Sequence, residues 1–315
     1  MREVWVYEND ADQRLDRFLQ KAFPKLSLSL SQKLIRKKRI KVNNGRTQHN
    51  YRLQTGDIIK LYLSEELLEK KQESKQVKTE KKLSICYEDE HIIIIEKPVG
   101  ISCHSGKDPG EVTLVDLLKS YLQESGSWDP AKEQTFVPAL SNRLDYNTGG
   151  LILAGKTAAA QKMLNEKIRL QEMDKYYLLV VYGKPNPLTG VVRDKLIKDE
   201  QTNQVFVTED ESQGKVAVTE YETLETRGDL SLVRCKLITG RSHQIRVHMQ
   251  SLGTPILGDR KYGATIPKEA PKEKQQALWA YQVGFSFQSD PGVLAYLEGK
   301  VFTSSKVPFV EKYFG

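Results

Sequence analysis

One carboxylate in a turn-rich loop is the leading candidate for chemistry in this chain. Asp145 lies in the segment 142–150, which reads Asn-Arg-Leu-Asp-Tyr-Asn-Thr-Gly-Gly and leads directly into a short apolar strand. Catalytic groups are common in loops that a rigid scaffold positions. An ionised carboxylate there could attack a substrate or remove a proton from it. The alternative interpretation is that Asp145 only caps a turn.

Residues 150–157 match the phosphate-binding pattern GxxxxGK[ST], with the sequence Gly-Leu-Ile-Leu-Ala-Gly-Lys-Thr. In that motif the backbone between the glycines coils around phosphates, which requires flexible residues. Here four apolar residues fill the interval and predict a buried strand. Thr157 is then expected to cap a helix. The pattern therefore argues against an ATPase.

The spacing of histidine and cysteine does not favour a metal centre. His243 and His248 are five residues apart, which places them about 140° apart around a helix. Cys86, Cys103 and Cys235 form no CxxC pair, as is typical of proteins in a reducing cytosol. We expect no bound metal.

The positive charge of the chain is concentrated near its N-terminus. The 315 residues carry 48 Lys and Arg against 41 Asp and Glu, a formal net charge of +7. Residues 12–63 hold 13 Lys and Arg and only 3 Asp and Glu, so the remainder of the chain is net negative. A local basic region of this kind indicates a nucleic-acid-binding module.

The basic region predicts two helices followed by two strands. Apolar spacing predicts helices over 12–23 and over about 29–38, and alternation predicts strands at 40–42 and 58–63. The second helix ends in a run of basic residues: Arg36, Lys37, Lys38 and Arg39. Such a run can be a solvated face, but the scarcity of acidic neighbours favours phosphate binding.

Three pieces of this region, 14–16, 34–43 and 53–59, resemble the S4 RNA-binding domain. The resemblance covers about 50 residues and implies recognition of structured RNA, mainly through the basic helix pair. We place this domain at 12–63.

The rest of the chain predicts a linker and a larger α+β domain. Residues 64–82 have no aromatic residues and cannot bury enough apolar surface to offset the ordering of their backbone. The domain at 83–315 is expected to hold a mixed, mainly antiparallel sheet with flanking helices. Its expected helices are 113–124, 157–171 and 242–252, and its expected strands include 92–95, 150–154, 176–182, 215–225, 230–238 and 278–287.

Neither a signal peptide nor a membrane span is evident. The N-terminus, Met1–Trp5, lacks the apolar stretch of a signal peptide, and no apolar run approaches about 20 residues. We expect a cytoplasmic protein that acts as a monomer without a membrane partner.

Four segments, in order, resemble the RluA-type pseudouridine synthases. They are the strand and turn at 88–100, the loop 142–151 (Asn-Arg-Leu-Asp-x-x-Thr-Gly-Gly-Leu), the tyrosine strand 175–183 and the C-terminal signature 239–263. The resemblance implies the pseudouridine synthase fold and an isomerase that converts uridine in RNA into pseudouridine. Because the reaction involves no redox change and no energy input, no cofactor is expected.

The resemblance also implies roles for individual residues. Asp145 would be the catalytic carboxylate and Arg246 its ion-pair partner, while Tyr177 would stack on the uracil and assist proton movement. Arg143 would fill the space left by a nucleotide flipped out of the RNA. Three reactions are open to Asp145: attack on the base, attack on the sugar, or removal of a sugar proton.

Other expectations concern the surroundings of this loop. Arg241 and Lys97 are expected to contact RNA phosphates, although a surface position without RNA contact is also open for Lys97. His243 and Gln244 are expected to brace the loop around the site.

Two positions depart from the family pattern. The family commonly has His where this chain has Asn142, and Ser where it has Gly149. Neither position carries the expected chemistry, and the extra glycine is expected to make the loop more flexible.

Large-subunit ribosomal RNA is the expected partner, because S4-bearing members of this family usually act on it. Transfer RNA is the alternative substrate. A catalytically silent RNA-binding or ribosome assembly factor is the alternative from another class. The complete set of Arg143, Asp145, Tyr177 and Arg246 argues against that last interpretation.

Overall fold

The computed structural model describes residues 1–69, 82–104, 110–210 and 212–315. Within these ranges the chain forms a three-stranded sheet near the N-terminus and a ten-stranded sheet in the remainder, both with flanking helices. The expected α+β class is confirmed. No helix in the same ranges combines the length and apolarity needed to cross a membrane.

The N-terminal sheet packs against two helices. The elements are β1 (Arg2–Trp5), α1 (Leu15–Ala22), α2 (Leu28–Arg36), β2 (Ile40–Val42) and β3 (Ile58–Leu61). The strands are antiparallel in the order β1-β3-β2. Leu15, Phe18 and Leu19 on α1 are fully buried in a core shared with the sheet. Their helical spacing explains why this segment forms an amphipathic helix.

This unit extends beyond the expected limits of 12–63 at both ends. The strand β1 pairs with β3, so residues before Asp12 are part of the sheet. Leu68, in a short 3₁₀ helix (Glu65–Leu68), is buried in the same core, and its carbonyl accepts a hydrogen bond from Arg2. Residues 64–69 therefore belong to the N-terminal unit. Most of the expected linker, 70–81, lies outside the described residues.

The second helix is shorter than expected. Ser27 caps it by accepting a hydrogen bond from the Leu30 amide, and the helix ends at Arg36. Lys38 has a φ of 60°, which is incompatible with a continuing right-handed helix. The basic run Arg36–Arg39 is therefore an exposed turn at the C-terminal end of α2.

The larger sheet is mixed and mainly antiparallel, as expected. Its strands lie in the order β4-β5-β6-β12-β7-β11-β10-β8-β9, with β13 paired to β12, and only the β12–β6 pair is parallel. The elements are β4 (Ile85–Glu88), β5 (Ile92–Lys97), α3 (Leu114–Glu124), β6 (Gly149–Gly155), α4 (Ala158–Arg169), β7 (Met173–Tyr182), β8 (Thr189–Asp199), β9 (Gln204–Thr208), β10 (Lys215–Arg227), β11 (Leu230–Leu237), α5 (Gln244–Ser251), β12 (Leu278–Phe285), β13 (Val301–Thr303) and α6 (Pro308–Phe314).

Apolar side chains cover both faces of the strand β5. Ile93 and Ile95 pack into the core beside α3 and α5, whereas Ile92 and Ile94 pack into the core beside α4. All four are fully buried. The run of four isoleucines thus reflects a strand with no solvent-facing side, because successive side chains point to opposite faces.

The hairpin formed by β8 and β9 is absent from the sequence-based expectations. Its residues do not alternate regularly, and the strand signal is limited to short β-branched and aromatic runs at residues 191–192 and 205–207. The hairpin forms one edge of the large sheet and brings Lys198 and Asn203 to the central cleft.

The strand β6 carries the catalytic-loop candidate and is buried along its whole length. A Cβ at Gly149 would lie 2.1 Å from the indole of Trp279, and one at Gly150 would lie 2.2 Å from the Ala280 carbonyl oxygen. Gly150 also has a φ of +114°. The expectation that Gly149 makes the loop more flexible is wrong, because this glycine lets β6 pass close to a buried tryptophan.

We predict that Gly149→Ser destabilises the fold by about 1–3 kcal/mol, the usual cost of overpacking a core. Trp279 cannot move freely, since it is buried and its indole N–H donates to Ser304. Chemical denaturation measures the change. In a Trp279→Leu background the same serine should cost less, and an equal cost in both backgrounds would contradict the steric explanation.

Candidate active site

Asp145 lies on the wall of a cleft of about 840 Å³ between the loop 142–148 and the start of α5. Its side chain is 27% exposed, so a substrate can reach it. Arg143 lines the same cleft, as expected for two side chains on one side of an extended segment. The interpretation of Asp145 as a turn cap alone is insufficient, since its carboxylate faces a cation.

That cation is Arg246, in the first turn of α5. Its Nη1 donates to Asp145 Oδ2 at 3.1 Å, and the guanidinium is almost buried. An adjacent cation stabilises the ionised carboxylate in a partly desolvated place. The expected pairing of Arg246 with Asp145 is present in the structure.

The structure adds a second carboxylate, Asp259, on the other edge of Arg246. Arg246 donates from Nε to Oδ2 at 2.6 Å and from Nη2 to Oδ1 at 2.8 Å, the bidentate arrangement that favours arginine over lysine. Burial lowers the pKa of Arg246, but hydrogen bonds and charge from Asp259 and Asp145 raise it overall. The amides of Lys261 and Tyr262 also donate to Asp259.

Asp259 is thus a positioning residue that sequence reasoning left without a role. It stands 13 positions after Arg246, in a loop, and no local periodicity connects the two. The one available signal is chemical: a buried arginine requires acceptors for several N–H groups, and one partly exposed aspartate does not supply them.

His243 approaches Asp145 from the residue that precedes α5. Its Nε2 lies 3.7 Å from Asp145 Oδ2, and its Nδ1 lies 2.7 Å from the Tyr262 hydroxyl. That hydroxyl accepts the Val205 amide hydrogen, which favours donation of its own proton to Nδ1 and a proton on Nε2 facing Asp145. Burial lowers the pKa of His243, although the negative charge of Asp145 acts to raise it. His243 therefore does more than brace the loop.

Tyr177 on β7 is buried. Together with Asp145 and Arg246, it lines a small cavity. Burial, and then the negative charges of Asp145 and Cys103, raise the pKa of its phenol. Tyr177 stays protonated at neutral pH, so it can contact a base or donate a hydrogen bond but does not act as a phenolate.

The expectation that Lys97 contacts RNA phosphate is wrong. Lys97 is fully buried, and its ammonium donates to the carbonyl oxygens of Pro98 (3.0 Å), Tyr146 (3.2 Å) and Thr148 (2.8 Å). Burial lowers the pKa of Lys97 to about 8, although the charges of Cys103 and Asp145 act to raise it. The lysine fixes the turn that follows Asp145 and has no surface to offer an RNA.

Three further residues near the site, Asn142, Gln244 and Arg241, make hydrogen bonds within the protein. Asn142 accepts a hydrogen bond from the Leu153 amide at 2.8 Å and so ties the start of the loop to β6. Gln244, nearly buried, donates to the Val218 carbonyl and to the Thr219 hydroxyl, which confirms it as a brace. Arg241 is exposed at the rim of the small cavity, with Nε bonded to the Val216 carbonyl.

The lining of the cleft is strongly basic, a feature that the sequence pattern did not reveal. Six arginines and lysines face two acids there: Arg143, Lys198, Arg246, Arg260, Lys261 and Lys274, against Glu111 and Asp145. The basic residues come from distant parts of the chain, so only the fold collects them. A polyanion is the natural occupant of such a cleft.

No cluster of three or more possible metal ligands occurs in the ranges that the structure covers. His243 and His248 have separate surroundings, because His248 is buried against the Thr219 hydroxyl. The four basic residues at the end of α2, Arg36 to Arg39, are exposed and form no ion pair with any carboxylate among the described residues.

Comparison with known proteins agrees with this site. The family model for RNA pseudouridylate synthase matches residues 91–251, and the model for the S4 domain matches residues 13–59. The chain therefore belongs to the RNA pseudouridylate synthase family and carries an S4 domain at its N-terminus. It is an RNA pseudouridine synthase, and the resemblance to the RluA-type enzymes is confirmed.

Several relatives align over most of their length. An uncharacterized RNA pseudouridine synthase of Aquifex aeolicus is 31% identical, with 87% of this chain and 86% of the relative covered. The ribosomal large subunit pseudouridine synthase C of Haemophilus influenzae is 30% identical, with 84% and 79% covered. The structure of human RNA pseudouridylate synthase domain containing 4 is 23% identical, has a TM-score of 0.55 and covers 71% of this chain and 88% of its own, which supports the fold.

We predict that Asp259→Asn destabilises the protein by about 3–5 kcal/mol, the usual cost of removing one partner from a buried ion pair. The amide cannot accept all four hydrogen bonds that reach Asp259 and leaves Arg246 undercompensated. Chemical denaturation measures the loss, with Glu209→Gln, an exposed acid in another loop, as the matched control. Equal stability of the two variants would exclude the proposed anchoring role.

Proposed function

We propose that this enzyme isomerises uridines of large-subunit ribosomal RNA, with Asp145 as the catalytic carboxylate. The observation that carries the proposal is the ion pair of Asp145 with Arg246 at the wall of a basic cleft. The printed name of the Haemophilus influenzae relative, a large-subunit ribosomal RNA enzyme, supports the choice of RNA. Transfer RNA is the alternative substrate, and no feature of the described residues favours it.

The chemistry fits the residues at hand. Pseudouridine formation breaks the glycosidic bond between N1 and the sugar, turns the uracil and joins the sugar to C5. The C5 proton is lost and N1 gains a proton, so product and substrate are isomers. Asp145 can attack the base, attack the sugar or remove a sugar proton, and in each case Arg246 donates a hydrogen bond to its Oδ2.

The groups around Asp145 can serve the steps that follow cleavage. Tyr177, protonated and buried, offers a ring face for the uracil and a hydroxyl for proton movement. His243 can hold a proton on Nε2 close to the carboxylate. Arg143, at the cleft mouth, is placed to occupy the gap that a flipped nucleotide leaves in the RNA.

Two basic surfaces serve RNA binding in this proposal. The cleft receives the target nucleotide, with Arg241 and Arg260 at its margins. The exposed turn Arg36–Arg39 contacts phosphates of a structured region elsewhere in the RNA. We expect the enzyme to act as a cytoplasmic monomer, in line with three free cysteines.

Asp145→Asn should reduce pseudouridine formation by at least about 1,000-fold, as loss of an essential catalytic group commonly does. RNA affinity should stay nearly unchanged, because the amide keeps the shape of the side chain. Mass spectrometry of the RNA and filter binding on the same samples measure both quantities. Formation at the wild-type rate would exclude Asp145 as the catalytic residue.

Replacing Lys37, Lys38 and Arg39 by glutamine should weaken RNA binding and flatten its dependence on salt. For each RNA phosphate that the variant no longer neutralises, the slope of log K against log[salt] should fall in magnitude by about 0.7–0.9. The matched control replaces three exposed lysines near the C-terminus, Lys300, Lys306 and Lys312, and should leave the slope closer to the wild-type value. Equal slopes for both triple variants would show that the charges of the N-terminal turn are only solvated.

A further inference from the structure

A fully buried aspartate connects the S4 domain to the catalytic domain. Asp10 belongs to a short 3₁₀ helix, Glu8–Asp10, between β1 and α1. Its carboxylate accepts hydrogen bonds from the Gln134 amide (2.9 Å), the Thr135 amide (2.8 Å) and the Thr135 hydroxyl (2.6 Å). All three donors belong to the catalytic domain, so Asp10 makes these hydrogen bonds only when the two domains touch.

Two neighbouring side chains reinforce this contact. Asn9 Oδ1 accepts a hydrogen bond from the Ala158 amide at 2.8 Å, and its Nδ2 donates to Glu133 at 3.0 Å. Gln13 donates to the Thr135 hydroxyl at 2.8 Å. Burial raises the pKa of Glu133 to about 7, which agrees with a contact that excludes water.

The contact is firmly attached to the S4 domain. The strand β1 precedes it and pairs along β3, and α1 follows it into the core of the domain. The backbone around it is also tied down, because Asp12 donates to the Leu53 carbonyl and Leu53 donates to the Gln13 carbonyl. The 3₁₀ helix therefore cannot shift without moving the whole S4 domain.

On the catalytic side, the contact reaches elements joined to the active site. Ala158 is the first residue of α4, which directly follows β6 and hence the loop that carries Asp145. Gln134 and Thr135 lie next to Phe136, whose carbonyl accepts the indole hydrogen bond of the buried Trp128. Both receiving sites belong to the packed body of the domain.

We propose that Asn9, Asp10 and Gln13 form an interdomain latch that holds the S4 domain at one angle to the catalytic cleft. These three residues are positioning residues for substrate choice. A fixed angle between the two domains sets the distance between the RNA element bound at the basic turn and the uridine bound at Asp145. The part concerning substrate choice rests on the proposed function, whereas the latch itself does not. A fully buried carboxylate that accepts three hydrogen bonds, all of them from the other domain, carries the inference.

The latch is tested first by the shape of the full-length protein in solution. Asp10→Ala removes the carboxylate on one side, and Thr135→Val removes the hydroxyl that donates to Asp10 and accepts from Gln13 on the other. Small-angle X-ray scattering should show a larger radius of gyration for both variants. The matched control is Asp12→Asn, which removes the charge of an exposed acid that pairs with Arg52 inside the S4 domain and keeps a residue type suited to the φ of 51° at this position. This variant should scatter like the wild type. Circular dichroism confirms that each variant is folded. Unchanged scattering of both latch variants would overturn the proposal.

A cross-link provides a second, independent test. In a Cys86→Ser background, a short bis-maleimide reagent should join Asn9→Cys to Glu133→Cys, since the ends of the two native side chains are in hydrogen-bond contact. Failure of the reagent to join the two positions in folded protein would also count against the docked arrangement.

Substrate choice is tested on transcribed large-subunit ribosomal RNA and on short uridine-containing hairpins excised from it. The latch variants should lose at least tenfold in rate at the wild-type site of the long RNA, or modify additional uridines, while the rate on a hairpin stays unchanged. The cross-linked protein should keep the wild-type site. Unchanged sites and rates in variants that scatter as open molecules would refute the role in substrate choice. If the wild type modifies no RNA, the proposed function fails, while the scattering result still decides the latch.

Discussion

The sharing of Arg246 between two aspartates is the interaction on which the site depends. Asp259 takes up one edge of the guanidinium and leaves Nη1 to face Asp145. A buried arginine with one partly exposed partner would be costly, because its remaining N–H groups would have lost water without replacement. With Asp259 in place, the cation is fixed before substrate arrives. Fixed charge of this kind stabilises a reacting carboxylate without reorganisation during the reaction.

The rest of the catalytic domain keeps Asp145 opposite that cation. The strand β6 is buried on all sides, Asn142 ties the start of the loop to it, and Lys97 gathers three carbonyls at the turn that follows. Gly149 permits close packing against Trp279. The loop is therefore held at both ends by groups that do not touch substrate, and this rigidity is what a short catalytic loop needs to keep one carboxylate in register.

The basic surfaces that we propose for RNA binding lie on parts of the molecule that are distant in sequence. The cleft gathers basic residues from the hairpin β8–β9 and from several loops, whereas the S4 domain exposes its basic turn on a separate body. Two such surfaces select an RNA by shape only if the distance between them is defined. In the latch that we propose, the buried contacts of Asp10 define this distance through direct packing of the two domains.

The sequence by itself determined the fold class, the strand β5 and the capped start of α4, because these follow from apolar periodicity and cap chemistry. Through its resemblance to the RluA-type enzymes, the sequence also pointed to Asp145, Arg246 and Tyr177 as site residues. It misjudged Lys97 and Gly149 and left Asp259 and Asp10 without roles. Each of these four depends on partners far away in the chain: carbonyls of the loop 146–148, the indole of Trp279, the guanidinium of Arg246 and the amides of residues 134 and 135. Only the tertiary structure brings such partners together, since burial and hydrogen bonding between distant segments leave no periodic trace in the sequence.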